Sequence, residues 1–190
     1  MTTNIFLPKK NHLKEKFQQK DAILNELKTL YWAEKQALKF LSRSEKAATT
    51  RYLKACFKGH LQATVQHINR LELVFELLNE KIRAKKCPVL ENIIKDAISG
   101  IINTPKKTLL RELSLIGSAQ KIEHYEINGY KKLIKFFTAI EQVKIAAFLE
   151  ESLNEEKEAD ETYSAVKEDV FNDEIFLISN SKEFEAAEEE

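Results

Sequence analysis

A chain of 190 residues is roughly one and a third times a typical 150-residue domain, so it holds one compact unit with extensions rather than two large domains. Thirty basic side chains balance thirty acidic ones, leaving no net field to gather nucleic acid. Four Gly and three Pro are too few for the turns of a many-stranded sandwich or barrel, while Leu, Ala, Lys and Glu favour helix, so the fold class is all-α.

Residues 1–20 carry Lys9, Lys10, Lys14, Lys16 and Lys20 against one acid, Glu15, and read as a basic N-terminal extension. The start, MTTNIFLPKKNH, lacks a signal-peptide core, and no apolar run approaches the roughly 18 residues of a spanning helix. Cys56 and Cys87 form neither a CxxC pair nor a disulfide framework. The expectation is a cytoplasmic protein with no membrane partner.

The bundle is expected over 21–166. Helix one, about 21–47, has Asp21 as its expected cap and a face of Leu24, Leu27, Tyr31, Glu34, Leu38 and Leu41. Helix two, about 49–83, presents Leu53, Phe57, His60, Thr64, His67, Leu71, Val74 and Leu78. A third long helix, about 106–137, begins after Thr104 and Pro105 and shows Leu113, Ile116, Gln120, Glu123, Ile127, Tyr130, Ile134 and Phe137. The last, about 141–167, carries Ala146, Leu149, Leu153, Glu156, Asp160 and Tyr163. Residues 167–190, ending EFEAAEEE, read as an acidic tail, within which DEIFLISNS is expected to dock locally.

Short connections make each pair of helices an antiparallel hairpin, whereas the middle linker, 84–105, is long enough to cross the bundle and contains a short periodic helix near 89–102. The predicted fold is therefore a ferritin-like four-helix bundle: two antiparallel hairpins with a long crossover containing a short fifth helix.

Each apolar stripe is broken by polar residues near its middle, where burial is greatest and charge most costly. Counted from a turn near 48, Glu34 lies fourteen residues before and His60 twelve after. From a turn near 140, Glu123 and Glu126 lie seventeen and fourteen before, and Glu156 sixteen after. All five can meet in one layer. No Lys or Arg stands in these stripes, so the carboxylates require either a metal or shared protons. Carboxylates with an imidazole suit iron, manganese or zinc.

His67 lies about 10 Å along the helix axis from His60, too far to share an ion, and reads as a core or second-layer histidine. Asp160, one turn past Glu156, is open to roles as ligand, supporting acceptor or cap. Tyr31 and Tyr130 are near enough in sequence to Glu34 and Glu126 to donate a hydroxyl to a ligating carboxylate, though aromatic packing is the commoner role. No nucleotide-binding loop, and hence no nucleotide cofactor, is expected.

LKTLYWAEKQALKFL, FKGHLQATVQHINRLELVFELL, KKCPVLENIIKDA, SAQKIEHYEINGYKKL and LEESLNEEKEADE together resemble the bacterial YciE/YciF family of stress-associated ferritin-like proteins, over roughly residues 20–166. The resemblance implies a five-helix ferritin-like or rubrerythrin-like fold, dimerisation, and a metal site at the matching positions Glu34, His60, Glu123, Glu126 and Glu156. Where the family typically reads HLEET after the histidine, this chain reads HLQAT, so Gln62 and Ala63 replace two carboxylates and a single-metal or silent site gains weight against a full di-iron centre. Neither helix two nor the last helix has the Glu-x-x-His pair of ferritin-type di-iron proteins.

Two functions follow as expectations. One is a stress-linked metal protein, a metal-dependent oxidoreductase if it is an enzyme; the other is a metal-free helical interaction module that oligomerises. Outward apolar residues of helix two, Tyr52, Leu61, Val65 and Phe75, predict a homodimer through helices one and two.

Overall fold

The computed structural model describes residues 9–188, with side chains from 20 to 172. Its elements are α1 (Lys9–Ala47), α2 (Arg51–Leu77), α3 (Pro88–Asn103), α4 (Leu109–Ala139) and α5 (Val143–Glu188). The described residues contain no strand. None of their helices is long and apolar enough to cross a membrane.

α1 and α2 form the first hairpin, and α4 and α5 the second. Contacts at the two ends set the directions. Lys132, near the end of α4, reaches Glu26, early in the bundle-forming part of α1, at 3.0 Å. At the other end, Glu112 in the first turn of α4 accepts hydrogen bonds from Thr49 N (2.6 Å) and Thr50 Oγ1 (2.8 Å), between α1 and α2. α4 thus runs antiparallel to α1 and parallel to α2, as the predicted crossover requires. α3 lies in that crossover and packs on α4 and α1 through Leu90 and Ala97. α3 approaches α4 closely at Gly100, where a Cβ would lie 2.5 Å from Ser114 Oγ and force that hydroxyl to turn away.

Local chemistry corrects several expected boundaries. α1 begins by Lys9 rather than near 21, since no Gly or Pro interrupts it, and Asp21 is an exposed residue inside the helix instead of its cap. The same lack of a breaker carries α5 through to Glu188. The docking expected of DEIFLISNS concerns side chains outside those described. α2 stops at Leu77, where the chain enters a left-handed turn at Asn79 (φ 52°). Thr104 and Pro105 do not start α4. Thr104 instead ends α3, donating from Oγ1 to Gly100 O at 2.6 Å, and the Thr108 side chain caps α4 by accepting from Arg111 N at 3.3 Å. Arg111 in turn donates from Nε to Thr104 Oγ1 at 2.6 Å, tying the two helix ends together.

The core follows the predicted stripes with two corrections. Leu61, expected to face outward, is half-buried and packs against the core. Phe75 is fully buried rather than outward, with its ring edge-on to Tyr31 at 5.7 Å. The apolar stripe of α2 widens near its end to include Leu71, Val74 and Phe75, three- and four-residue steps that share one face.

Candidate metal centre

Glu34 of α1, His60 and His67 of α2, Glu123 and Glu126 of α4, and Glu156 of α5 are all buried in the middle of the bundle. The five sequence-derived candidates therefore occupy one layer, as expected, and His67 joins them. His60 Nε2 lies 3.1 Å from Glu123 Oε2 and 3.5 Å from Glu156 Oε2. His67 Nδ1 lies 2.8 Å from Glu156 Oε1 and 3.5 Å from Glu34 Oε2. Two groups of potential metal ligands result, Glu34–His67–Glu156 and His60–Glu123–Glu156, with Glu156 common to both.

His67 was expected in the core or a supporting layer about 10 Å from His60 along the axis, but the two rings lean together to a centroid distance of 6.2 Å. The seven-residue step puts both imidazoles on one face of α2, and Glu156 spans the gap between them. Sequence spacing alone missed this because it compared the histidines with each other, not with a carboxylate bridging them from another helix.

The donor atoms are incompletely satisfied. Glu34 Oε2, His60 Nε2, His67 Nδ1, Glu123 Oε2 and both oxygens of Glu126 and of Glu156 lack hydrogen-bond partners among the described residues, although several stand at ion-pair distance. Unsatisfied buried carboxylates and imidazoles converging from four helices form a donor set that fits a divalent metal.

The electrostatics show what the metal-free site must tolerate. Burial pushes the carboxyls of Glu123 and Glu156 up to about 7, and that of Glu126 well above the usual range, with Glu34 and Glu156 adding repulsion to Glu126. Glu34 is also raised, chiefly by burial, with His67 acting against the rise. Burial lowers His60, so it favours the neutral imidazole that can bind metal. Burial also disfavours charge on His67, yet Glu34 and Glu156 outweigh it and raise its value to about 11. The stripes hold no Lys or Arg, but this imidazolium is an internal cation that residue type did not reveal.

The surroundings orient the cluster. Tyr130 donates its hydroxyl to Glu34 Oε1, fixing one oxygen and leaving the other free. Tyr130 therefore acts on Glu34 across the bundle, not on Glu126 of its own helix. Tyr31 does neither, since its ring packs edge-on against Phe75 and its hydroxyl reaches Glu72 Oε1, one turn earlier on α2, at 2.7 Å. Asp160 turns to the flank of α4, pairing with exposed His124 at 3.1 Å and accepting from Gln120 Nε2 at 3.3 Å. Gln62 is exposed and Ala63 half-buried, and neither enters the cluster.

Sequence reasoning also missed Glu155 and Arg70. Glu155 Oε2 stands 2.8 Å from His67 Nε2, and Arg70 clamps the same carboxylate through two contacts of 2.6 and 2.9 Å. Held this way, the His67 ring sets Nε2 against Glu155 and directs Nδ1 at the cluster, so a second carboxylate fixes its orientation.

The family model "Domain of unknown function (DUF892)" matches residues 18–175. Protein YciF of Escherichia coli is 36% identical over 141 residues, spanning 74% of this chain and 84% of that protein. The crystal structure of the E. coli stress protein YciF matches with a TM-score of 0.76 and 33% identity, covering 80% of this chain and 96% of that one. A solved Rhodopseudomonas palustris protein, YcfI, matches with a TM-score of 0.72 and 34% identity, over 76% of this chain and 92% of its own.

Proposed function

Because the chain belongs to the YciE/YciF family, whose model is DUF892, we propose that it is a stress-associated ferritin-like protein whose central cluster binds iron or a related divalent metal. One observation carries this reading: the buried donor atoms of five residues form two three-residue groups that share Glu156. In one group Glu34, His67 and Glu156 would hold the metal, and in the other His60, Glu123 and Glu156; Glu126 brings two further free oxygens. Glu carboxylates with imidazole favour iron, manganese or zinc.

When bound, iron would supply one-electron redox chemistry with peroxide or dioxygen. The chain's own residues prepare for the ion. His60 is poised as a neutral ligand, Tyr130 holds one oxygen of Glu34, and the Glu155–Arg70 pair fixes the His67 ring. His67 must release its Nδ1 proton before that nitrogen can ligate, and Glu126, raised well above the usual carboxylate range, must release its own. Free Cys56 and Cys87 fit the reducing cytoplasm.

Exposed Tyr52, Val65, Leu73 and Leu77 on α2 support a homodimer through α1 and α2. The metal reading is tested by titrating metal-free protein with Co(II) and following the visible absorption of the bound ion. A saturable spectrum that is lost in Glu156→Ala supports it. The alternative is a metal-free interaction module in which the His67 imidazolium and shared protons neutralise the carboxyls. That alternative predicts no bound-cobalt spectrum in either protein.

A further inference from the structure

The six cluster residues are not equally sealed. Glu34, His67, Glu123, Glu126 and Glu156 are 0–1% exposed, whereas His60 is 6% exposed and lines a surface pocket of about 290 Å³ between α2 and α5. Small side chains open that pocket. Ala55, Gly59 and Ala63 contribute from α2 and Ala159 from α5, at positions where larger residues would fill the space. Gly59 leaves the most room, with no atom within 4 Å of where its Cβ would lie.

Beside His60, the pocket is lined by Tyr163, whose ring meets that of His60 edge-on at 6.1 Å. The Tyr163 hydroxyl is buried and has no hydrogen-bond partner among the described residues. An unsatisfied donor in such a place calls for an oxygen acceptor, and water is the smallest. Glu158 lines the same pocket from α5 and gives its wall a negative charge that favours cations, while Glu155, also in the lining, is held by Arg70 and His67.

We propose that this pocket is the port through which a hydrated divalent cation reaches the buried carboxylates, with His60 as the first side chain to receive it and Tyr163 as donor to the water that the ion carries. The proposal rests on the metal reading above. The ion enters at the His60–Glu123–Glu156 group, and the Glu34–His67 side, fully buried, fills only through it. Beyond His60 the cluster offers an ion unpaired oxygens in place of its lost waters.

The port is tested by filling it from its outer wall, leaving the donor residues untouched. Gly59→Leu and Ala63→Leu add bulk at the pocket, and Gln62→Leu, exposed and outside the pocket lining, is the control. Stopped-flow mixing with Co(II) should show uptake at least ten-fold slower in the two filled variants, with the final cobalt content and melting temperature of wild type, and no slowing in Gln62→Leu. Deuterium exchange at the His60 ring C2 position, followed by mass spectrometry on metal-free protein, gives a readout independent of metal. It should slow at least three-fold in the same two variants. If wild type takes up no cobalt and the exchange slows, the pocket still admits water to His60, but the metal reading and the cation port both fall. Wild-type uptake with unchanged uptake and exchange rates in Gly59→Leu and Ala63→Leu overturns the port alone.

Discussion

Glu156 Oε1 stands 2.8 Å from His67 Nδ1, while the other oxygen of the same carboxylate turns to His60. One side chain of α5 therefore joins two histidines that are two turns apart on α2. Glu156→Ala should abolish Co(II) binding at both groups. Glu155→Gln should weaken it about 10–100-fold by loosening the support behind His67. Titration by visible absorption separates the two effects, and equal affinities in Glu155→Gln and wild type would contradict the assigned support.

Removing a buried carboxyl should help the metal-free fold. Glu123→Gln keeps the side-chain volume and eliminates one costly group that burial pushes up to about 7. Stability without metal should rise by about 1–3 kcal/mol while metal affinity falls. Thermal melts with and without Co(II) supply the test. A lower metal-free melting temperature would identify Glu123 as part of a neutralised network.

The metal-free protein should lose stability between pH 6.5 and 8. Glu123 and Glu156, raised from 4.5 to about 7, retain protons in the folded state that the unfolded chain releases, so their contribution drains away as pH climbs through 7. His67, raised from 6.5 to about 11, contributes fully below 6.5 and progressively less above it. His60 is lowered and has the opposite sign, but its effect lies below its ordinary value of 6.5. Melting in the presence of chelator across this range should show a falling midpoint. A rising midpoint would mean that the folded state binds fewer protons than the unfolded chain, contradicting the raised values of Glu123, Glu156 and His67.

Glu112 is a structural carboxylate by contrast, because its bonds to Thr49 and Thr50 fasten α4 to the turn between α1 and α2. Glu112→Ala should cost about 1–3 kcal/mol of stability. Denaturant unfolding measures the loss, and metal affinity should stay at the wild-type value.

The proposed dimer predicts a scattering mass of twice the 22.0 kDa chain at micromolar concentration. Val65→Glu, at an exposed position of α2, should shift the protein toward monomer. A 22 kDa wild-type species would remove the α1–α2 interface from the account.

Much of this arrangement was legible in the chain. Glu34, His60, Glu123, Glu126 and Glu156 interrupt apolar stripes at matching depths, and the 84–105 linker is long enough to imply the crossover. Three kinds of information were not readable. The hydroxyl of Tyr31 goes to Glu72 because its ring follows Phe75, a choice made between helices rather than along one. Glu155 follows the helical stripe less well than Glu156, so its role behind His67 emerges only once α2 and α5 pack. Helix ends depended on local competition, as Thr104 closes α3 while Thr108, four residues on, opens α4.

The central claim is that the cluster holds a metal ion, and elemental analysis tests it most directly. Protein purified without chelator and loaded anaerobically with Fe(II) should retain about one or more iron ions per chain after desalting, with the retention lost in Glu156→Ala. Iron well below one per chain in the wild-type protein, with no change in melting temperature on loading, would contradict the account.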